Sequence, residues 1–161
     1  IRMQNNVVEL PRPIKPLAQL PVARGESKHS RYINILAKMA ACVEPVAQAR
    51  IAACIVYRND IVSFGVNQMK SHPFQAKYGK NQNSVYLHAE TSAIKNSLKY
   101  ISLHELETST LYICRVKHND PFKKKLIFGL SKPCSGCFRC ITTFNISKVI
   151  YTLDGASYAA L

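Results

Sequence analysis

Acid is scarce in this chain. Of 161 residues, 9 are Asp or Glu against 22 Lys or Arg, a formal net charge of +13. Such a balance is unsuited to cationic partners and attracts polyanions, whether nucleic acid, free nucleotides or anionic lipid. A basic surface with no partner at all gives the same count. The scarcity also makes each carboxylate informative. Long apolar runs are missing as well: nothing approaches the ~18 consecutive apolar residues of a membrane span. That argues against a spanning helix. No repeat or low-complexity run is visible, so a repeat array is excluded. The six cysteines are not spread like the disulfide framework of a small secreted domain, which points to a reducing, cytoplasmic compartment.

What is present has the size of one ordinary domain. A hydrophobic share of 47% suffices for a core without staples. Residues 1–26 hold four of the eight prolines and read as an extended arm, leaving 27–161 as the folded domain. "NNVVEL" at 5–10 has the composition of a short strand. A helix starts at Ser27 or Ser30, with Tyr32, Ile35, Leu36 and Met39 at helical spacing, bounded by Pro45. "ARIAACIVY" and "IVSFGVN" are β-rich runs joined by "RND", a hairpin. Residues 68–84 read as a polar, basic loop and 88–101 as a helix. "TLYICRV" is a strand, 117–133 a long basic loop, 134–147 a short helix, "KVIYT" a last strand, and the rest a tail. The order α, β, β, α, β, α, β combines an antiparallel hairpin with helix-linked strands, hence a mixed sheet covered by helices. Cys42, Cys54 and Cys114 sit among apolar residues and are expected to be buried.

Two short stretches carry chemistry. "HAE" at 88–90 opens one helix, and "PCSGC" at 133–137 opens another. The C-x-x-C spacing lets Cys134 and Cys137 reach one ion, and His88 adds an imidazole from elsewhere. Three such ligands plus water is the catalytic zinc arrangement; a structural site wants a fourth. Cys140 is the available fourth, so a structural site stays open, as does a redox pair. Positive helix ends favour thiolate at both cysteines. Zinc lowers the pKa of its water towards ~7, and a base must then move the proton. Glu90, two residues past His88, is that base.

H-x-E…P-C-x-x-C is the signature of the zinc nucleobase deaminases. With the flanks "HAETSAI" and "PCSGCFRCITTFNISKVIY", residues 27–153 resemble the deoxycytidylate and tRNA-adenosine deaminase branch of the cytidine deaminase superfamily. The resemblance implies a three-layer α/β/α fold and a Zn²⁺ cofactor held by His88, Cys134 and Cys137. It implies Glu90 as the proton shuttle, the Ala89 backbone on the base edge and Asn67 on the sugar. It also implies a homo-oligomer. Asn67 as an ordinary turn residue is the competing reading. His72 is a candidate substrate contact or second-metal ligand, or simply a loop histidine. Phe74 and Tyr78 could stack on a base. Lys132, with Arg115 and Lys123–Lys125, could hold phosphate, or be a solvated run.

The expected reaction converts a cytosine nucleotide, dCMP to dUMP, with release of ammonia. Two readings stand beside it. One is deamination of cytosine or adenine in single-stranded DNA or tRNA. The other is a non-catalytic, zinc-containing nucleic-acid-binding module, against which an intact Glu90 argues. Two departures from the family stand out: the basic segment 117–132 is longer than usual, and the chain stops soon after "KVIYT". An edge strand formed by "NNVVEL" is expected to make good the second.

Overall fold

A computed structural model describes residues 20–24, 27–45, 49–78, 86–119, 125–155 and 157–161. The expected strand at 5–10, the loop segments 79–85 and 120–124, and Lys123 and Lys124 lie outside the described residues. Among the described residues, no helix is long and apolar enough to cross a membrane.

Helix α1 spans Lys28–Ala41. Tyr32, Ile33, Leu36, Ala37 and Ala40 form its buried stripe, the i, i+4 spacing of an amphipathic helix. Ser27 takes the N-cap backbone position, but its hydroxyl pairs with Tyr158 Oη at 2.7 Å instead of capping. Strands β1 (Arg50–Tyr57) and β2 (Asp60–Val66) form the expected hairpin. Its turn is two residues, not three. Arg58 and Asn59 have φ of 49° and 65°, the left-handed pair that a type I′ turn requires.

The remaining elements are α2 (Pro73–Tyr78), α3 (Ala89–Ser97), α4 (Leu103–Glu107), β3 (Thr110–His118), β4 (Leu126–Gly129), α5 (Ser135–Thr143), β5 (Lys148–Thr152) and β6 (Tyr158–Ala160). The sheet runs β2-β1-β3-β5-β6. It is mixed, as expected: β3 and β5 are parallel, while β1 is antiparallel to both β2 and β3. Alternate residues separate two cores. Cys54, Tyr112, Cys114 and Val116 pack under α1 on one face. Ile55, Leu111 and Ile113 pack with Ala93 and Ile94 of α3, Leu106 of α4 and Ile141 of α5 on the other. The result is the three-layer arrangement.

Four short elements correct the sequence reading. The loop expected at 68–84 contains α2, and the one at 117–133 contains β4. The helix expected through 101 ends at Ser97, and α4 follows with its own capping box, Ser102 with Glu105. The tail forms β6, which pairs antiparallel with β5. Cys42 is exposed, not buried; it follows the last turn of α1, past the core stripe.

Strand β3 pairs with two neighbours along one edge. Its first half, Thr110–Ile113, pairs with β5, and its second half, Arg115–His118, pairs with β4 along the same edge. Buried Ser131 and Thr152 lock this fork. Ser131 N donates to Thr152 O at 3.0 Å, Thr152 N to Ser131 Oγ at 2.9 Å, and Thr152 Oγ1 to Gly129 O at 2.7 Å.

Candidate active site

The two chemical motifs meet because two helices begin at the same place. His88 is the N-cap residue of α3 and Cys134 that of α5, both with extended backbone. Helix α3 is seated on β2 at Gly65: a Cβ there would lie 2.3 Å from Ala89 O and 2.4 Å from Ala93 N. Only glycine lets the helix backbone approach so closely. From α2, buried Gln75 secures the entry turn. Its Oε1 accepts from His88 N at 3.1 Å and from the Thr91 hydroxyl. Gln75 escaped the sequence reading, since a lone glutamine in a polar stretch gives no signal of its partner.

The ligand atoms of His88, Cys134 and Cys137 all lie within 4.8 Å of one another. His88 Nδ1 is 3.2 Å from Cys137 Sγ and 3.7 Å from Cys134 Sγ. A tetrahedral zinc with ordinary Zn–S and Zn–N bonds sets these edges at roughly 3.6 Å, so the donor set fits zinc in both chemistry and span. The site is arranged to hold charge. Cys134 is pulled down to about 3, first by its hydrogen bond with Cys137 and then by that with His88. Cys137 is pushed up by the same contact with Cys134 and by burial. The hydrogen bond between His88 and Cys134 raises the pKa of His88. Protons held this way are the ones a metal displaces when it binds. Cys140 is buried in the core beside Ile141 and is not part of the cluster.

Glu90 is the acid of the site. It is 5% exposed, and its Oε2 lies 3.7 Å from Cys137 Sγ. Burial pushes its carboxyl pKa up. It opens on a cleft of about 400 Å³, within the range of small-molecule sites. Asn67, Ala89, Arg115, Ser131 and Lys132 also line that cleft. Asn67 is not a simple turn residue. Its Oδ1 accepts from Ile51 N and its Nδ2 donates to Ala49 O, both at 2.9 Å, so the side chain prolongs the hairpin ladder at the cleft wall.

The structure does not bring His72, Phe74 and Tyr78 to the cleft lining. His72 Nδ1 accepts from Phe74 N at 3.0 Å, capping α2. Phe74 packs against Tyr78 and stacks on Phe144, with ring centroids 5.5 Å and 6.1 Å away. Among the described residues, His72 belongs to no metal-binding cluster.

No curated protein matches the chain. Among solved structures, it is similar to dCMP deaminase from the cyanophage S-TIM5 in apo form. The identity is 18%, the match covers 81% of this chain and 86% of that one, and the TM-score is 0.54. The same phage enzyme in complex with dCMP and dUMP is 17% identical over 75% of each chain, with a TM-score of 0.45. At this identity the likeness is one of fold. The family model of the cytidine and deoxycytidylate deaminase zinc-binding region matches residues 26–153. That stretch includes both motifs and every element from α1 to β5, and the chain therefore belongs to the zinc-dependent cytidine and deoxycytidylate deaminase family.

Proposed function

We propose that the protein deaminates a cytosine nucleotide hydrolytically, converting dCMP to dUMP and ammonia. One observation carries this reading. A buried carboxylate, Glu90, stands beside a complete three-donor zinc cluster and opens on a cleft of nucleotide size.

His88, Cys134 and Cys137 hold the zinc. Bound there, zinc supplies a Lewis acid that activates water near neutral pH. Glu90 accepts the proton that the attacking water gives up, and delivers it to the ring nitrogen next to the reacting carbon. A second proton passes through Glu90 to the departing amine. Water and the amine are consumed; a carbonyl and ammonia result. The raised pKa of Glu90 suits a group that must both take and give protons. The Ala89 backbone at the cleft lining meets the base edge, Asn67 the sugar, and Lys132 an anionic group of the substrate. His72 keeps to α2. Residues 27–161 form the catalytic domain and 1–26 its arm.

The +13 charge favours a second reading, in which the cytosine or adenine belongs to single-stranded DNA or tRNA. A reducing, cytoplasmic setting is proposed from the clustering of Cys134, Cys137 and Cys140, which is not a spread disulfide framework. Self-association into a homo-oligomer is checked by sedimentation. The deciding test is a side-by-side assay of ammonia release with dCMP, dCTP, deoxycytidine, single-stranded DNA and tRNA. Turnover of dCMP and not of polymers is expected; turnover confined to a polymer overturns the nucleotide reading.

A further inference from the structure

We propose that Arg115 grips the 5′-phosphate of a mononucleotide substrate, an inference that rests on the nucleotide reading above. Its position follows from strand periodicity. Tyr112, Cys114 and Val116 face α1, so Ile113 and Arg115 face the side that carries His88 and Glu90. Arg115 stands between Ile51 on β1 and Gly129 on β4. Ile51 and Arg115 both line the active cleft.

The neighbouring strand leaves room for the side chain. A Cβ at residue 129 would lie 3.0 Å from Arg115 Cδ, 3.1 Å from Cγ and 3.3 Å from Nε. A glycine at that point of β4 lets the arginine stem lie flat across the strand. The backbone beneath is rigid: Arg115 N donates to Thr152 Oγ1 at 3.1 Å, tying it to the Ser131–Thr152 fork.

The charged end is held but not answered. Arg115 Nε is buried and has no hydrogen-bond partner among the described residues. The ion pairs among those residues are His104–Glu107 and Lys117–Asp154. Asp154 feels the Arg115 charge, yet its Oδ1 already accepts from Lys117 Nζ at 2.8 Å and Leu130 N at 3.1 Å. A partly buried guanidinium that makes no direct ion pair is unfavourable by itself. Its fork of N–H donors matches a phosphate bidentately. The carboxylate that lines the cleft, Glu90, is engaged at the zinc cluster. An anionic group at the Arg115 end and the base at the Glu90 end orient a nucleotide in one sense.

Isothermal titration of the zinc-loaded protein with dUMP and with deoxyuridine tests this independently of turnover. The wild type should bind dUMP much more tightly than deoxyuridine. Arg115→Gln should weaken dUMP binding roughly 10- to 100-fold, the range for a lost charge-assisted hydrogen bond, and leave deoxyuridine unchanged. Arg115→Lys, which keeps the cation without the fork, should fall between. In turnover, Arg115→Gln should raise KM for dCMP with little change in kcat. Equal losses for both ligands, no loss for dUMP, or a loss seen only with a single-stranded oligonucleotide would overturn the proposal. So would a wild type that binds the two ligands alike. Arg115-dependent dUMP binding without dCMP turnover would sink the deaminase reading and leave the phosphate site standing; the reverse pattern would do the opposite.

Discussion

Two single-residue changes separate chemistry from metal binding. Glu90 is not part of the zinc-donor cluster, and its Oε2 lies 3.7 Å from Cys137 Sγ. Glu90→Gln should therefore keep zinc, measured by metal analysis, and lose turnover roughly 10²- to 10⁴-fold, the usual worth of a general acid–base group. Cys134→Ala removes a donor and should lose both zinc and activity. Retained activity in Glu90→Gln would remove Glu90 from the mechanism. These residues were legible in the sequence because each motif is local: His88 and Glu90 are two apart, Cys134 and Cys137 three apart, and each pair opens a helix. Gln75 was not legible. Its value comes from His88 N and Thr91, which lie on another helix. Arg115 was legible as a cation, but its place opposite Gly129 depends on strand register.

At the scale of elements, the cluster depends on how α3 sits. Gly65→Ala would push a methyl into the backbone of α3. A loss of about 1–3 kcal/mol or more is expected for such overpacking, read by urea denaturation, together with weaker zinc retention. A variant as stable as wild type would mean that α3 is not seated there. Gln75→Ala should cost about 1–3 kcal/mol by leaving the His88 N–H unanswered, while the Thr91 hydroxyl keeps His88 O, again with weaker zinc binding. Helix α1 was readable from its 3.6-residue apolar period, and β1, β2, β3 and β5 as runs rich in β-branched and other apolar residues. The short ones were not. Helix α2 has six residues and β4 four, too few for a period to emerge. Helix α4 did carry a signal, the Ser102 and Glu105 capping box. Strand β6 exists because β5 offers an edge, which is a property of the sheet.

At the scale of the molecule, the mixed sheet with a core on each face followed from the order of elements, whereas the fork of β3 between β4 and β5 did not. Pairing two strands to successive halves of one edge is decided by tertiary contacts such as Ser131 with Thr152. The +13 charge has its own test. If the substrate is a mononucleotide, kcat/KM for dCMP should fall shallowly with salt, because few phosphates are neutralised. Binding to single-stranded DNA, if any, should fall steeply, with a slope near −0.7 per contacted phosphate. A steep dependence for the reacting substrate would favour the polymer reading. The most direct measurement is conversion of dCMP by the zinc-loaded wild-type chain, following dUMP and ammonia together, with Glu90→Gln as the control. Equal amounts of dUMP and ammonia from the wild type, and neither from the variant, are predicted. Zinc fully bound and dCMP unchanged would contradict the account.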